Sequence, residues 1–283
     1  VAVPRYRTLE IPAGWTTHGF GDTRVPWGLG QEPARFTIAE DPRSELRVLL
    51  VDHTGDRRFF DRPGVYDDPV TREGWPDNAE RYLFFARAAV EGLKGFGETF
   101  DIVHAHDQQA AWVPCFVRTH EADEPAFAKV ATVFTIHNLG YQGIVDPWLL
   151  SVAGFSRELF FPQSPFEYWG RVNFMKSGII FSDFLPTSSP TYAREIQASE
   201  EYGLGLEGVF KSRAADLRGI PNGIDTNEWD PTLDPHLPAR YSSVDPGGKS
   251  ACRRALLDRG GLRNGSDAPL LVIPGATVDH RAA

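Results

Sequence analysis

The sequence predicts an α/β protein built on a Rossmann-like, doubly wound parallel sheet. After residue 40, short apolar runs alternate with runs of helical periodicity, and such alternation favours a parallel sheet. Polar residues directly follow several of the predicted strands, at the sheet edge where ligands bind in these folds. The chain has 283 residues, 41% of them hydrophobic and 12% aromatic, which is enough for one large domain or two modest ones.

The elements of the first half follow from local patterning. Residues 77–94 carry apolar side chains three and four positions apart, which predicts an amphipathic helix. Residues 130–136 (VATVFTI) are rich in β-branched side chains, which favour a strand. The predicted elements are strands 45–51, 100–103 and 130–136 and helices 77–94 and 108–119.

The second half continues this pattern as far as a change in composition. Ser189 and Pro190 predict a helix start, because serine is a good N-cap and proline suits the first turn. Residues 241–249 (YSSVDPGGK) predict a linker. We therefore expect a Rossmann-like domain over residues 1–244 and the beginning of a second domain over residues 245–283. The predicted elements are helices 174–181, 191–199 and 249–257 and strands 184–186, 217–221 and 270–273.

Composition argues against several classes of partner. The net charge is −9 and no basic cluster occurs, so nucleic acid and anionic membranes are poor candidates. An uncharged polymer is compatible with this balance, whereas an anionic nucleotide would need a local positive site. The two cysteines, Cys115 and Cys252, are far apart, which fits a reducing compartment. The sequence contains no run of about 18 apolar residues, so no membrane span is predicted.

The first candidate segment is residues 104–107 (HAHD), which follows a predicted strand. Residues two apart on an extended chain point to the same side, so His104 and His106 can converge. Three interpretations stay open: a metal site, a loop that caps the next helix, and a loop that faces a substrate. The metal site is the weakest, because Gln108 and Gln109 interrupt the spaced HxHxDH run of a metallo-hydrolase.

The second candidate segment, residues 135–143 (TIHNLGYQG), also follows a predicted strand. His137 can donate or accept a hydrogen bond near neutral pH, and two glycines let a ligand approach the backbone closely. A single histidine after a strand is more often structural. The planar amides and the aromatic ring beside it nevertheless favour a site, because such groups hold sugars.

Two further segments have both a structural and a functional interpretation. Ser189 and Tyr192 lie in a hydroxyl-rich helix start, where a cap is the simpler interpretation. Asn222 and Asp225 lie in a turn (NGID) after a predicted strand, near the expected domain junction. The glycine-rich residues 203–208 follow a predicted helix, which excludes a dinucleotide fingerprint.

Taken in order, these segments resemble the glycogen/starch synthase family of retaining glucosyltransferases. The resemblance covers nearly the whole chain, and it depends on the number and order of the motifs more than on any one of them. The matching segments are residues 4–6 (PRY), 59–66 (FFDRPGVY), 77–82 (DNAERY), 104–107 (HAHD), 135–143 (TIHNLGYQG), 173–179 (NFMKSGI), 189–196 (SPTYAREI) and 219–225 (GIPNGID).

The resemblance implies the N-terminal half of a two-domain GT-B fold, with the active site in the cleft between two Rossmann-like domains. It implies transfer of glucose from the nucleotide sugar ADP-glucose, or UDP-glucose in some members, to the non-reducing end of an α-1,4-glucan. The transfer proceeds with retention and without a metal or other cofactor. The implied catalytic residues are Asp107, His137 and Asn222. The implied substrate-binding residues are His104, His106, Asn138, Tyr141, Gln142, Gly143, Ser189, Tyr192 and Asp225.

The sequence departs from the family pattern in several places. It begins after the family's first strand and Lys-x-Gly-Gly-Leu loop, and Gln108 stands where the family has tryptophan. In residues 275–281, Ala276 and Arg281 replace an arginine and a lysine of the family's nucleotide-binding domain. We therefore expect a chain truncated at both ends, with a non-catalytic glucan-binding protein as the alternative function. The expected compartment is the cytoplasm in a bacterium, or the plastid in a plant.

Overall fold

The computed structural model describes residues 1–262 and 268–272. These belong to two compact units, Val1–Pro221 and a second unit that begins at Asn222. The linker-like composition of residues 241–249 suggested a boundary after residue 244 instead, and the assignment of the two stretches to named domains stays a prediction.

The first sheet is mixed and has the order β1-β4-β3-β2. β1 pairs with β4 in parallel, whereas β3 is antiparallel to both β2 and β4. The sequence prediction missed the hairpin of β2 and β3. Buried Ala34, Phe36 and Ile38 nevertheless alternate with the more exposed Arg35 and Thr37, the pattern of a half-buried strand. A two-residue turn closes the hairpin, and Gly28 supplies the positive φ (58°) that such turns require. The strands are β1 (Ala2–Pro4), β2 (Thr16–Trp27), β3 (Gly30–Glu40) and β4 (Arg47–His53).

The other strands form a parallel set and a small antiparallel sheet. β5 pairs with β6 and β10 with β11, all in parallel, and parallel bridges from Val133 to Phe184 and from Ile136 to Thr187 join β6 to β10. The parallel order is therefore β5-β6-β10-β11, while β7, β9 and β8 form the antiparallel sheet. These strands are β5 (Ile102–His106), β6 (Ala131–Thr135), β7 (Ile144–Val145), β8 (Glu167–Tyr168), β9 (Arg171–Asn173), β10 (Leu185–Thr187) and β11 (Leu217–Gly219).

Helix α1 (Asn78–Gly95) packs against two hydrophobic cores at once. Leu83 and Val90 belong to the core of the parallel strands, whereas Phe84 and Phe85 belong to the core of the mixed sheet. A helix that is apolar on more than one face is expected to be buried between layers, and this one is. The remaining helices are α2 (Asp107–Ala110), α3 (Trp112–Arg118), α4 (Trp148–Val152), α5 (Phe174–Phe181), α6 (Pro190–Ala198), α7 (Glu200–Gly203), α8 (Glu207–Ser212) and α9 (Lys249–Arg259).

Most of the predicted elements are confirmed to within a few residues, and two are corrected. The single helix predicted over residues 108–119 is broken into α2 and α3 at Ala111. Pro114 explains the break, because it has no N–H for the carbonyl of Ala110 and its ring disturbs the preceding turn. The strand predicted over residues 270–273 is wrong over its described part: residues 270–272 have no regular structure. An apolar run becomes a strand only where a neighbouring strand can bond to it.

Candidate active site

The candidate site is built on the carboxyl edge shared by the parallel strands. β5 ends at His106, β6 at Thr135 and β10 at Thr187. The buried hydroxyl of Thr187 donates to the carbonyl of Ile136 over 2.8 Å, which ties two of these strand ends together. Because parallel strands end at one edge, the loops that follow them meet there.

Asp107 directly follows β5 and is the first residue of α2. Its backbone has φ of 52°, a left-handed conformation that aspartate tolerates better than most residues. One carboxylate oxygen, Oδ1, accepts from the backbone N–H of His137 over 2.8 Å and from that of Asn138 over 3.4 Å. The carboxylate therefore holds the loop that follows β6 against the end of β5.

Three imidazoles form a ladder across β5 and the end of β6. His104 Nε2 lies 2.6 Å from Thr135 Oγ1, and the His104 ring stacks on His106 with centroids 4.2 Å apart. His106 Nδ1 lies 3.0 Å from His137 Nε2, and those two rings are nearly parallel with centroids 5.3 Å apart. The predicted convergence of His104 and His106 is confirmed, and His137 joins them.

The surroundings favour the neutral form of the two β5 imidazoles. Partial burial, followed by the charge of His137, lowers the pKa of His104. Partial burial also lowers the pKa of His106, with contributions from His104 and His137 that the Asp107 carboxylate opposes. An unperturbed histidine side chain has a pKa near 6.5, so a lowered pKa favours the neutral ring at pH 7. A neutral ring has one donor and one acceptor nitrogen.

The segment that follows His137 is a bonded turn anchored on helix α6. Asn138 Oδ1 accepts from the N–H of Gly140 over 2.8 Å, and the Tyr192 hydroxyl accepts from the N–H of Leu139 over 3.2 Å. Burial raises the pKa of Tyr192. Ser189 Oγ accepts from the first N–H groups of α6, which confirms the predicted cap. Its role in substrate binding stays a prediction.

Gln142 is buried and both ends of its amide are engaged. Its Oε1 accepts from Asn173 Nδ2 over 2.6 Å, and its Nε2 donates to the carbonyl of Leu204 over 3.0 Å. Gly143 has φ of 66°, and a Cβ there would lie 2.7 Å from Gln108 Oε1. In this structure Gln142 and Gly143 shape the loop, whereas Tyr141, half exposed, remains at the surface.

Asn222 and Asp225 lie in the second unit and are both exposed. Asp225 Oδ1 accepts from the N–H of Asn227 over 2.9 Å and from that of Glu228 over 3.3 Å, so it caps its own turn. Asn222 follows the end of β11 by three residues. The predicted proximity of Asn222 to His104, Asp107 and His137 stays a prediction.

Sequence reasoning missed the contribution of Thr135 and Asn173. Both stood in segments that carried the family resemblance, but neither was a candidate site residue. Thr135 bonds to His104, and Asn173 both bonds to Gln142 and caps α5 through Lys176 N–H at 2.9 Å. The signal available was position: each is the last residue of a strand, Thr135 of β6 and Asn173 of β9.

Within the described ranges, no group of three or more His, Cys, Asp or Glu side chains is arranged to hold a metal ion. Residues 275–281, where the sequence departs from the family's nucleotide-binding pattern, lie outside the described ranges. The same described residues contain no helix long and apolar enough to cross a membrane.

A parallel sheet whose carboxyl edge carries bonded polar loops defines a ligand-binding α/β domain of the Rossmann-like class. Residues 1–212 match the family model for the starch synthase catalytic domain. The chain belongs to that family, as the order of its motifs predicted.

Similar proteins agree with this assignment. A glycogen synthase of Anaeromyxobacter sp. is 38% identical over 281 residues, which are 99% of this chain and 56% of that protein. A glycogen synthase of Thermus thermophilus is 43% identical over 230 residues, or 81% of this chain and 46% of that protein. The chain thus spans about half the length of these relatives.

A solved structure supports the fold. The catalytic domain of Starch Synthase IV from Arabidopsis thaliana, bound to ADP and acarbose, superposes with a TM-score of 0.77 at 28% identity. The similarity covers 94% of this chain and 52% of that one. The predicted Rossmann-like half of a GT-B fold is confirmed.

Proposed function

We propose that the protein to which this chain belongs transfers glucose from ADP-glucose to the non-reducing end of an α-1,4-glucan, with retention. In this proposal the chain supplies the acceptor-side half of the catalytic cleft. The observation that carries it is the family match over residues 1–212, which includes every loop at the carboxyl edge of the parallel strands up to β10. The likeness to a starch synthase bound to ADP and acarbose supports a nucleotide sugar and a glucan as its substrates.

The geometry suits glycosyl transfer. An oxocarbenium-like transition state is stabilised by nearby carboxylates and fixed dipoles. Asp107 Oδ1 is occupied by two backbone N–H groups, which leaves Oδ2 as the oxygen for a substrate. His137 is fixed beside it by the same bonds. We assign Asp107, His137 and Asn222 to catalysis, and the reaction as proposed requires no metal.

The test is glucosyl incorporation from labelled ADP-glucose into glycogen by the complete protein encoded by the gene. We expect incorporation without added metal and in the presence of a chelator. His137→Ala should lower turnover about 10²- to 10³-fold, the usual cost of losing one preorganised polar contact. Binding of glycogen without any incorporation would instead support a non-catalytic glucan-binding protein.

The same proposal extends to partners and compartment. With a net charge of −9, nucleic acid is an unfavourable partner, and we expect none. We expect the protein to act in the bacterial cytoplasm, or in the plastid if the source is a plant, where ADP-glucose and glucan are available. Cell fractionation with an antibody against this chain tests the compartment.

A further inference from the structure

The contact between His106 and His137 constrains where their protons can be. His106 Nδ1 and His137 Nε2 are 3.0 Å apart, so one nitrogen must carry a hydrogen and the other must offer its lone pair. Two protonated nitrogens at this distance would face each other and break the contact. The bond therefore requires one definite tautomer in each ring.

We propose that His106 is a positioning residue that accepts the Nε2–H of His137 at its own Nδ1 and thereby fixes the His137 imidazole in the Nε2–H tautomer. The Nδ1 of His137 is then an unprotonated acceptor. If the proposed function holds, that acceptor serves a hydroxyl of the transferred sugar. The inference about the tautomer itself rests on the contact between the two rings and on the chemistry of imidazole tautomers, and it does not depend on the proposed function.

The direction of the bond follows from ring chemistry. With His137 as donor, both rings adopt the Nε2–H form, which is the more stable neutral tautomer of a histidine side chain. With His106 as donor, His137 would have to adopt the less stable form. The stack of His104 on His106, with centroids 4.2 Å apart, further favours a neutral His106 because it places a second ionisable ring against it.

The titratable groups around His106 come from four places: β5, the start of α2, the loop after β6, and α6. His104 precedes it on β5 and Asp107 follows it, while His137 lies beyond the end of β6. Tyr192 of α6 reaches the same loop through Leu139. Asp107 favours a proton on His106 and the two imidazoles oppose it, in keeping with a pKa that burial lowers. Protonation of His106 would place a hydrogen on its Nδ1, so His106 can accept from His137 only while its ring is neutral.

The test is long-range ¹H–¹⁵N correlation spectroscopy of the histidine rings in the full 283-residue chain at pH 7.5. We expect His137 to show one protonated nitrogen, Nε2, and one unprotonated nitrogen, Nδ1. His106→Phe keeps a ring for the stack but removes the acceptor, so the two nitrogen shifts of His137 should converge as its tautomers mix. His106→Asn keeps an acceptor near the Nδ1 position and should restore the difference.

A matched control is His104→Phe, which alters the stack without touching His137 and should leave the His137 tautomer unchanged. If His137 shows the Nδ1–H form, or if His106→Phe leaves its ring shifts unchanged, the inference is wrong. The readout needs neither substrate nor activity. A failure of the proposed glucosyl transfer would therefore leave this result interpretable by itself.

Discussion

Position 107 requires two properties of its residue. The backbone must be left-handed, and the side chain must accept hydrogen bonds from two N–H groups of the neighbouring loop, as the Asp107 carboxylate does. Few side chains meet both. Asparagine tolerates the backbone and keeps an acceptor, glycine tolerates the backbone alone, and alanine meets neither demand well.

The first prediction uses these three substitutions. Asp107→Ala should lower the free energy of unfolding by about 2 kcal/mol, because it combines left-handed strain with the loss of charge-assisted hydrogen bonds. Asp107→Gly should cost about 1 kcal/mol and Asp107→Asn less. Urea denaturation at pH 7.5 measures all three. Equal stability of the alanine and asparagine variants would show that the loop is held by other contacts.

The second prediction concerns pH. Because the folded-state pKa values of His104 and His106 are lowered, the unfolded chain binds more protons below about pH 6.5. Their contribution to stability is therefore present above that pH and is lost as the pH falls. We expect the urea midpoint to drop between pH 7.5 and 5.5, and to drop less in His106→Asn. A midpoint that rises on acidification would contradict the assigned direction of the shifts.

At the scale of elements, helix α1 depends on a close approach to the mixed sheet. A Cβ at Gly92 would lie 2.7 Å from Leu49 Cδ2 and 3.2 Å from Phe36 Cε1. Alanine is the better helix former by about 1 kcal/mol, but overpacking a core costs about 1–3 kcal/mol. We expect the cost of overpacking to exceed the gain in helix propensity, since Leu49 and Phe36 are themselves buried.

The third prediction follows from this balance. Gly92→Ala should lower the free energy of unfolding by about 1 kcal/mol. Gly208→Ala in α8, where no atom lies within 4 Å of the added Cβ, is the matched control and should raise it by about 0.5 kcal/mol. Thermal unfolding of both variants beside the parent chain shows whether each substitution raises or lowers the stability. Stabilisation in both would mean that Leu49 moves aside at little cost.

Sequence patterning located elements better than it located their partners. Ser189 and Pro190 marked the start of α6 correctly, because capping is a local property. The β2–β3 hairpin was missed because its strands are only half buried and their pairing depends on a two-residue turn. At the site, the histidine spacing gave the convergence of His104 and His106. The bond from His106 to His137 depends on β5 and β6 being neighbours, and no local sequence pattern predicts which strands pair.

At the scale of the whole molecule, the chain spans about half the length of its relatives, for example 56% of the Anaeromyxobacter protein. In a two-domain GT-B cleft, groups on both sides stabilise the transition state. This chain has a net charge of −9, so the diphosphate of the proposed nucleotide-sugar donor would need a local positive site. Under the proposed function, this chain would contribute the acceptor side of that cleft.

The fourth prediction is that the isolated 283-residue chain has no detectable synthase activity but retains weak glucan binding. Loss of each preorganised contact costs about 10² to 10³ in rate, although such losses need not add. The assay is incorporation from labelled ADP-glucose into glycogen beside a full-length family member, with affinity electrophoresis in glycogen for binding. Incorporation within about tenfold of the full-length control would place the chemistry in this half.

The outer strand of the mixed sheet has one further consequence, for behaviour at high concentration. β2 is twelve residues long and lies at the end of the sheet. Its outer backbone N–H and C=O groups could therefore pair with a strand of a second molecule, and repeated pairing of this kind would build a fibril. The register shift between Gly19 and Gly21 and the proline at residue 26 interrupt that row. Phe20, the extra residue of the bulge, packs against Phe96 with ring centroids 4.5 Å apart and ring planes tilted by 32°. Removal of the bulge and of the proline from β2 is therefore expected to make the protein aggregate at high concentration, even where the fold itself survives.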